Sequence, residues 1–336
     1  MTTNIRPVGN LTEQDVRDVL TAATAAPSLH NSQPWLFRCT PSVIELYADP
    51  TRDLSVADPD RREMLLACGA ALFNLRLALR ARGLHPTVSL VPDRTRPDLL
   101  ATIRPVGHRP VAPADLTLAE AITRRHTNRR PFAPTPVPAG AVSALRSAAR
   151  AEQVWLATLA PARLPLLRGL VATAHQAQQQ DPRFVAEWRE WTAREAGASD
   201  GVPRRNSGPL PEPQDEWVLR DFSGGQAKQR VPGKDFEPDP LIVVLGSFHD
   251  QPLARLQTGQ AMQRVLLTAT VAGLSASFLS QVVEVPDTRR QLRELIGGGL
   301  WPQTVLRIGY GMPVPPTPRR DLCDVVAGDR AGTQVN

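Results

Sequence analysis

An α+β fold made of two similar halves is predicted by three observations: a repeated helix, a repeated order of elements around it, and one abrupt change of composition. The helix comes first. Gly69-Ala70-Ala71-Leu72-Phe73-Asn74-Leu75 and Gly259-Gln260-Ala261-Met262-Gln263-Arg264-Val265 both carry small residues on one face and apolar residues at helical spacing. Both run on to a Gly-Leu stop, Gly83-Leu84 and Gly273-Leu274. The two glycine pairs share one offset of 190 positions (259 − 69 and 273 − 83). Small faces let two such helices pack closely together. A chance likeness of two Ala/Leu-rich helices is the plain alternative, and the flanking order counts against it.

Each long helix follows a strand candidate, Ser42-Val43-Ile44-Glu45-Leu46-Tyr47 and Leu241-Ile242-Val243-Val244-Leu245, and precedes another, Thr87 to Val91 and Ser277 to Val283. An amphipathic helix over Leu11 to Ala26 leads to Trp35-Leu36-Phe37; a second, over Ala139 to Arg150, leads to Val154-Trp155-Leu156. The halves meet around Pro105 to Pro113, which gives 1–108 and 109–336. A fused pair of this kind is an intramolecular pseudo-dimer, equivalent to a symmetric homodimer in one chain. Further dimerisation is left open. From Gly197 to Pro240 the composition turns to Gly, Pro, Asp and Arg with little apolar periodicity. An insertion of that length is either a lid or a disordered segment. Trp217, Leu219 and Phe222 are its expected anchors, and Arg204, Arg205 and Lys228 are the side chains that could face a phosphate or substrate. The stretch before it, Leu164 to Glu195, reads as helix, with Trp188 and Trp191 as packing residues.

A chain of 336 residues can bury a large core. No run of 18 apolar residues occurs, and Met1 to Val8 has no apolar signal region, so neither a membrane span nor secretion is expected. Cys39, Cys68 and Cys323 are scattered, with no metal-ligand or disulfide spacing, which suits a reducing cytoplasm. The net charge is +6. Its arginines are dispersed among acids and the few aromatics form no stacking platform, so a small anionic ligand fits the charge better than a nucleic acid. There is no Ser-His-Asp signature, no metal cluster and no GxGxxG after a strand, so no protein nucleophile, metal or Rossmann cofactor site is expected.

Three motifs carry the chemistry. In Pro27-Ser28-Leu29-His30-Asn31-Ser32-Gln33-Pro34-Trp35 an Ala-rich helix stops, and five hydrogen-bonding side chains crowd a turn before an apolar strand. Such a turn suits a flat ligand rich in heteroatoms. Here His30 either donates to a ligand or caps the turn. Arg124-Arg125-His126-Thr127-Asn128-Arg129-Arg130-Pro131-Phe132 follows a helix over Leu116 to Arg125. Guanidinium forks grip phosphate bidentately, and a basic helix end also complements the helix dipole, so a ligand site and a solvated face are both readings of it. Either Arg129 or Arg130 points inward. The third motif is Val305 to Gly311, a strand ending in glycines, followed by Pro313-Val314-Pro315-Pro316-Thr317-Pro318-Arg319-Arg320.

These motifs resemble those of the nitroreductase superfamily, in its flavin-contacting turn (Pro-Ser-x-x-Asn-x-Gln-Pro-Trp), its basic phosphate segment and its closing Ile-Gly-Tyr…Pro-Pro…Arg-Arg run. The His in the turn, the Asp60-Arg61-Arg62-Glu63-Met64-Leu65-Leu66-Ala67-Cys68-Gly69 helix start and Asp200-Gly201-Val202-Pro203 are more similar to the Acg family of FMN-binding, nitroreductase-like proteins, and together the motifs span residues 25–320. The resemblance implies a fused nitroreductase-like fold whose lid covers FMN. It implies FMN contacts from Pro27, Ser28, Leu29, His30, Asn31 and Gln33. Arg125 and Arg129 are assigned to the phosphate and pyrimidine end and Thr127 to the ribityl chain, beside Asn128. Ser280 and Gln281 fall at the ring edge, and Arg319 and Arg320 at the phosphate. Thr127 replaces the usual Ser, and Pro131 is inserted before Phe132. The first half lacks a basic segment before Leu11 and the second lacks a polar turn before Trp155, so one FMN per chain is expected. Two activities follow: an oxidoreductase reduced transiently by NADH or NADPH, which passes electrons to a small acceptor, or a protein that stores FMN under a lid that blocks nicotinamide.

Overall fold

The computed structural model describes residues 5–192, 194–195, 197–227, 237 and 240–327. It contains two four-stranded antiparallel sheets with the same strand order. The first is made of β1 (Trp35–Cys39), β2 (Ile44–Ala48), β3 (Thr87–Leu90) and β4 (Leu99–Arg104), in the order β1-β2-β4-β3. The second is made of β5 (Trp155–Thr158), β6 (Leu241–Ser247), β7 (Ser275–Phe278) and β8 (Trp301–Gly309), in the order β5-β6-β8-β7. The first sheet carries α1 (Glu13–Thr24) and α2 (Arg62–Arg80), and α3 (Pro113–Arg124) leads out of it. The second carries α4 (Ala139–Ala151), α5 (Leu164–Gln180), α6 (Pro182–Trp191), α7 (Pro252–Val271), α8 (Gln281–Glu284) and α9 (Pro286–Leu295), while α10 (Leu322–Val325) packs back on α1 and β1 of the first. The fold is α+β, as the repeat predicts.

The two long helices cross where the shared offset places them. A β-carbon on Gly69 would lie 2.2 Å from the carbonyl oxygen of Leu256, and one on Gly259 would lie 2.2 Å from that of Leu66. Leu66 and Leu256 are themselves 190 positions apart (256 − 66), so the contact is reciprocal. Only glycine allows backbones this close. Gln263 Nε2 donates to Asn74 Oδ1 across the same interface at 2.8 Å.

The sheets also exchange rungs. Val326, near the C-terminal end, pairs in parallel with Phe37 on β1, and Ala327 donates its N–H to the Phe37 carbonyl at 2.8 Å. Thr127, just after α3, pairs in parallel with Ala276 on β7. This second rung fixes the basic segment against the second sheet.

Three boundaries differ from the sequence reading, each for a local reason. α1 starts at Glu13 and not Leu11, because Thr12 caps it: its hydroxyl accepts from the Asp15 N–H and its own N–H donates back to Asp15. The helix expected over Leu164 to Glu195 is two helices. Asp181 precedes a proline, adopts extended backbone (φ −89°, ψ 108°) and caps α6 by accepting from the Arg183 N–H at 2.9 Å. The strand expected over Ser277 to Val283 ends at Phe278, and Val282 and Val283 lie in α8. Trp188 and Trp191 pack with Leu54, Ala57 and Phe184 in a small core. Among the described residues no helix is long and apolar enough to cross a membrane.

Candidate functional site

The turn between α1 and β1 is held in an unfavourable backbone. His30, Asn31 and Gln33 have φ of 51°, 59° and 53°, and none is glycine. Left-handed backbone costs an ordinary residue roughly 1–2 kcal/mol. Side-chain bonds offset it. Ser28 Oγ accepts from the Gln33 N–H at 2.9 Å, and Asn31 Nδ2 donates to the carbonyls of Gly201 (3.0 Å) and Pro318 (3.1 Å). Gln33 Nε2 donates to the Ser199 carbonyl at 2.9 Å, and its Oε1 accepts from the Arg320 N–H at 2.8 Å. Asn31 and Gln33 thus staple the turn to the insertion and to the C-terminal segment. Pro27, Ser28, Leu29 and His30 face a cleft between the two sheets.

That cleft holds about 860 Å³ of empty space, its open mouth included. Its floor is apolar, with Leu66 and Ala67 from α2 and Met262 from α7. Ser277 to Gln281, Ser280 and Gln281 included, form one wall. The extended segment after α3 forms the opposite edge. Thr127 and Arg129 line the cleft. Asn128, between them, is turned away: its Nδ2 donates to the Met312 carbonyl at 2.9 Å and its Oδ1 accepts from the Arg130 N–H at 3.1 Å. Of the two alternatives the inward residue is Arg129, and Arg130 is exposed.

Arg129 stacks on Phe222, 4.4 Å from the ring centre, and donates to the Asn206 carbonyl at 2.9 Å. Arg125 is buried; its Nε has no partner and its Nη2 reaches only the Ala25 carbonyl at 3.4 Å. Neither guanidinium pairs with a carboxylate among the described residues. Burial pulls both down to about 10, helped at Arg129 by the charge of Arg220. Arg125 sits behind the lining, two residues from Thr127. Gly208 (φ 80°) lies on the Arg129 backbone, where a β-carbon would approach the Arg129 β-carbon to 2.8 Å.

Trp217, Val218, Leu219, Arg220 and Phe222 roof the cleft. Trp217 is buried with Leu164, Leu167 and Leu279, and Phe222 packs on Trp188 at 4.5 Å. Arg220 donates to Ser280 Oγ (2.9 Å), Gln178 Oε1 (2.6 Å) and Glu284 Oε2 (2.6 Å). Burial would raise the Glu284 carboxyl, but the Arg220 charge and hydrogen bond hold it down at about 2. Arg204 and Arg205 are exposed and away from the cleft, and Lys228 lies outside the described residues. His30 stands edge-on to Trp188 at 4.9 Å with Nε2 unpartnered, and burial pulls its imidazole down to about 3, so it is neutral.

Arg319 and Arg320 have other partners. Arg319 caps α1, donating to the carbonyls of Thr24 (2.9 Å), Ala25 (3.1 Å) and Ala26 (3.1 Å) and to Asn31 Oδ1 (3.1 Å). Arg320 donates to the Gln33 carbonyl (3.2 Å) and to Asp49 Oδ2 (3.3 Å). Neither lines the cleft.

The position related by the repeat is different. Gln153 matches Gln33 at the same left-handed backbone (φ 58°), two residues before Trp155 as Gln33 is before Trp35. Beside it Glu152 binds Arg76 at 2.8 Å and Arg264 at 3.0 Å, and Gln257 donates to the Gln153 side chain at 3.0 Å. There a carboxylate pairs with both arginines.

The chain is 38% identical over 320 residues to the Mycobacterium tuberculosis H37Rv protein Rv3131, provisionally named an NAD(P)H nitroreductase, covering 93% of this chain and 91% of that one. It is 31% identical over 326 residues to the M. tuberculosis protein acg, which bears the same provisional name, covering 94% and 96%. The chain belongs to the Acg family of nitroreductase-like proteins. No family model matches it. Among solved structures, the FMN-dependent nitroreductase NfnB of Mycobacterium smegmatis in complex with NADPH aligns with a TM-score of 0.41 at 16% identity, over 65% of this chain and all of that one.

Several lining residues of this Acg-family chain were not singled out from sequence. Glu63 and Met262 stand in motifs quoted for the helices they begin or fill. Arg307 was taken only as part of a strand. It is almost fully buried on β8, ion-paired with Glu237 and over the Phe132 ring at 4.2 Å. Charge inside an otherwise apolar strand was the available signal.

Proposed function

We propose that this cleft binds one FMN per chain and that the protein is an FMN-dependent NAD(P)H oxidoreductase. The observation that carries the reading is a pair of guanidiniums, Arg129 at one edge of the cleft and Arg125 buried behind it, which have no carboxylate partner among the described residues. Desolvating a cation without an anion is costly, and a phosphate group supplies the missing charge through charge-assisted bonds. Both arginines have donor capacity to spare, so the residues fit the group.

In this reading Arg125 and Arg129 hold the phosphate and Thr127 the ribityl chain. Pro27 to His30 and Ser277 to Gln281 flank the ring, over the floor of Leu66, Ala67 and Met262. Asn31, Gln33, Asn128, Arg319 and Arg320 act one step back, by fixing the strained turn and the basic segment. The halves divide at 108/109, and the site takes its turn from the first and its basic segment from the second. When bound, FMN supplies hydride acceptance from NADH or NADPH and electron delivery to a small acceptor. The chain positions it, excludes water beneath the Trp217 to Phe222 roof, and stabilises negative charge with Arg129.

The roof favours a second reading. Trp217 and Phe222 are seated in apolar cores and Arg220 is tied by three bonds, which suits a cover that keeps nicotinamide out and stores FMN. An anaerobic visible spectrum separates the two. Rapid bleaching of the flavin band by NADH or NADPH supports turnover. A band that yields only to dithionite supports storage. A colourless protein that takes up no added FMN overturns both.

A further inference from the structure

Among the described residues that line the cleft, Glu63 is the single carboxyl. It is the second residue of α2, buried, and beside the floor residues Leu66 and Ala67. The other ionisable groups there are Arg129, Arg220, Arg307 and His30. Guanidiniums do not give up protons in proteins. The His30 ring is buried against Trp188 and held neutral, so it has no proton to release at neutral pH.

The surroundings of Glu63 balance its two forms. Arg62 Nη2 donates to its Oε1 at 2.8 Å, but Arg62 also serves the carbonyls of Gln303 and Val283. Asp58 takes the N–H groups of Glu63 and Met64, both at 2.9 Å, so these first-turn donors of α2 are not left to stabilise a second anion. Glu284, bound to Arg220, faces it from α8. Burial, opposed by Arg62 and reinforced by Asp58 and Glu284, pushes the Glu63 carboxyl up to about 7.

We propose that Glu63 is the proton donor and acceptor of the cleft, supplying the proton that accompanies hydride transfer to the molecule held there. This rests on the oxidoreductase reading. A small acceptor that takes a hydride gains two electrons and one proton, so a neutral two-electron, two-proton product needs one proton more. The Glu63 O–H bond breaks, the proton goes to the acceptor atom, and the carboxylate stays paired with Arg62 until water reprotonates it. A group that holds both forms at working pH is suited to this step.

The test compares the wild type with Glu63→Gln, which keeps shape and hydrogen bonding. Infrared titration of the purified protein from about pH 5 to 9 should show two buried carboxyl bands that disappear in turn, Asp58 first, pushed up to about 6 by burial, and Glu63 after it. Glu63→Gln should lack the second band, and His30→Ala should keep both. In anaerobic turnover Glu63→Gln should slow acceptor reduction about 100-fold or more and flatten its pH profile, with FMN content unchanged. A wild type without the second band, or both bands surviving in Glu63→Gln, overturns the proposal. So does an unchanged rate and pH profile in a variant whose flavin still bleaches, and that result leaves the oxidoreductase reading standing. A protein that binds no FMN or is never reduced removes that reading and this one together.

Discussion

The two ends of the pseudo-symmetric molecule carry the same backbone turn and opposite electrostatics. Gln33 and Gln153 share a left-handed conformation before a tryptophan. At the first end a cleft opens beside Arg125 and Arg129, which have no carboxylate partner among the described residues. At the second, Glu152 pairs with both Arg76 and Arg264. The same fold element thus carries a carboxylate beside its arginines at one end and none, among the described residues, at the other.

The largest effect should come from removing the unpaired charges. Arg125→Ala with Arg129→Ala removes two charge-assisted phosphate contacts, about 3–6 kcal/mol of FMN affinity. Equilibrium dialysis with the apoprotein would show it, and normal FMN retention would break the contrast between the two ends. The crossing that relates them should respond next. Gly259→Ala places a methyl group against the Leu66 carbonyl, at the upper end of the about 1–3 kcal/mol that overpacking costs, read in urea or thermal unfolding. Both ends should weaken together; a loss of FMN binding without loss of stability would contradict a shared scaffold.

The filled end tests the converse. Glu152→Gln leaves Arg76 and Arg264 facing each other and should cost about 1–2 kcal/mol of stability, reduced by their partial exposure, with FMN binding untouched. If FMN affinity falls as well, the two ends are coupled. At the open end, acid should loosen the roof. The folded Glu284 carboxyl is held at about 2 against 4.5 unfolded, so its contribution is present above about 4.5 and lost as pH falls towards 2. Limited proteolysis between Trp217 and Phe222 should speed up over that window in the wild type and show no such acceleration in Glu284→Gln. The smallest change is a control of opposite sign. A β-carbon on Gly140 meets nothing, so Gly140→Ala in α4 should stabilise by about 0.5–1 kcal/mol.

The scaffold was legible because repeats write it twice. One glycine offset located the helix crossing, and alternating apolar runs located most strands. The β4 strand, Leu99–Arg104, was missed, although it holds the place in the first sheet that β8 holds in the second. The site was legible in composition and less so in direction. Spacing found the turn and the basic segment. It did not show that Asn31 and Gln33 would be spent on holding three strained residues, nor that Arg319 would cap α1. Those roles depend on which carbonyls the insertion and the C-terminal segment bring near, a tertiary matter that residue type does not encode. Glu63 escaped for a related reason. An acid in the first turn of a helix is ordinary, and its burial beside a cleft is visible only once the second sheet is in place.

The central claim is a single anion-binding cleft between two halves, and FMN stoichiometry tests it most directly. Apoprotein titrated with FMN and followed by quenching of flavin fluorescence should saturate at one FMN per chain, and the Arg125→Ala, Arg129→Ala double variant should fail to saturate in the same range. Saturation at two per chain, or equal binding by the double variant, would contradict the account.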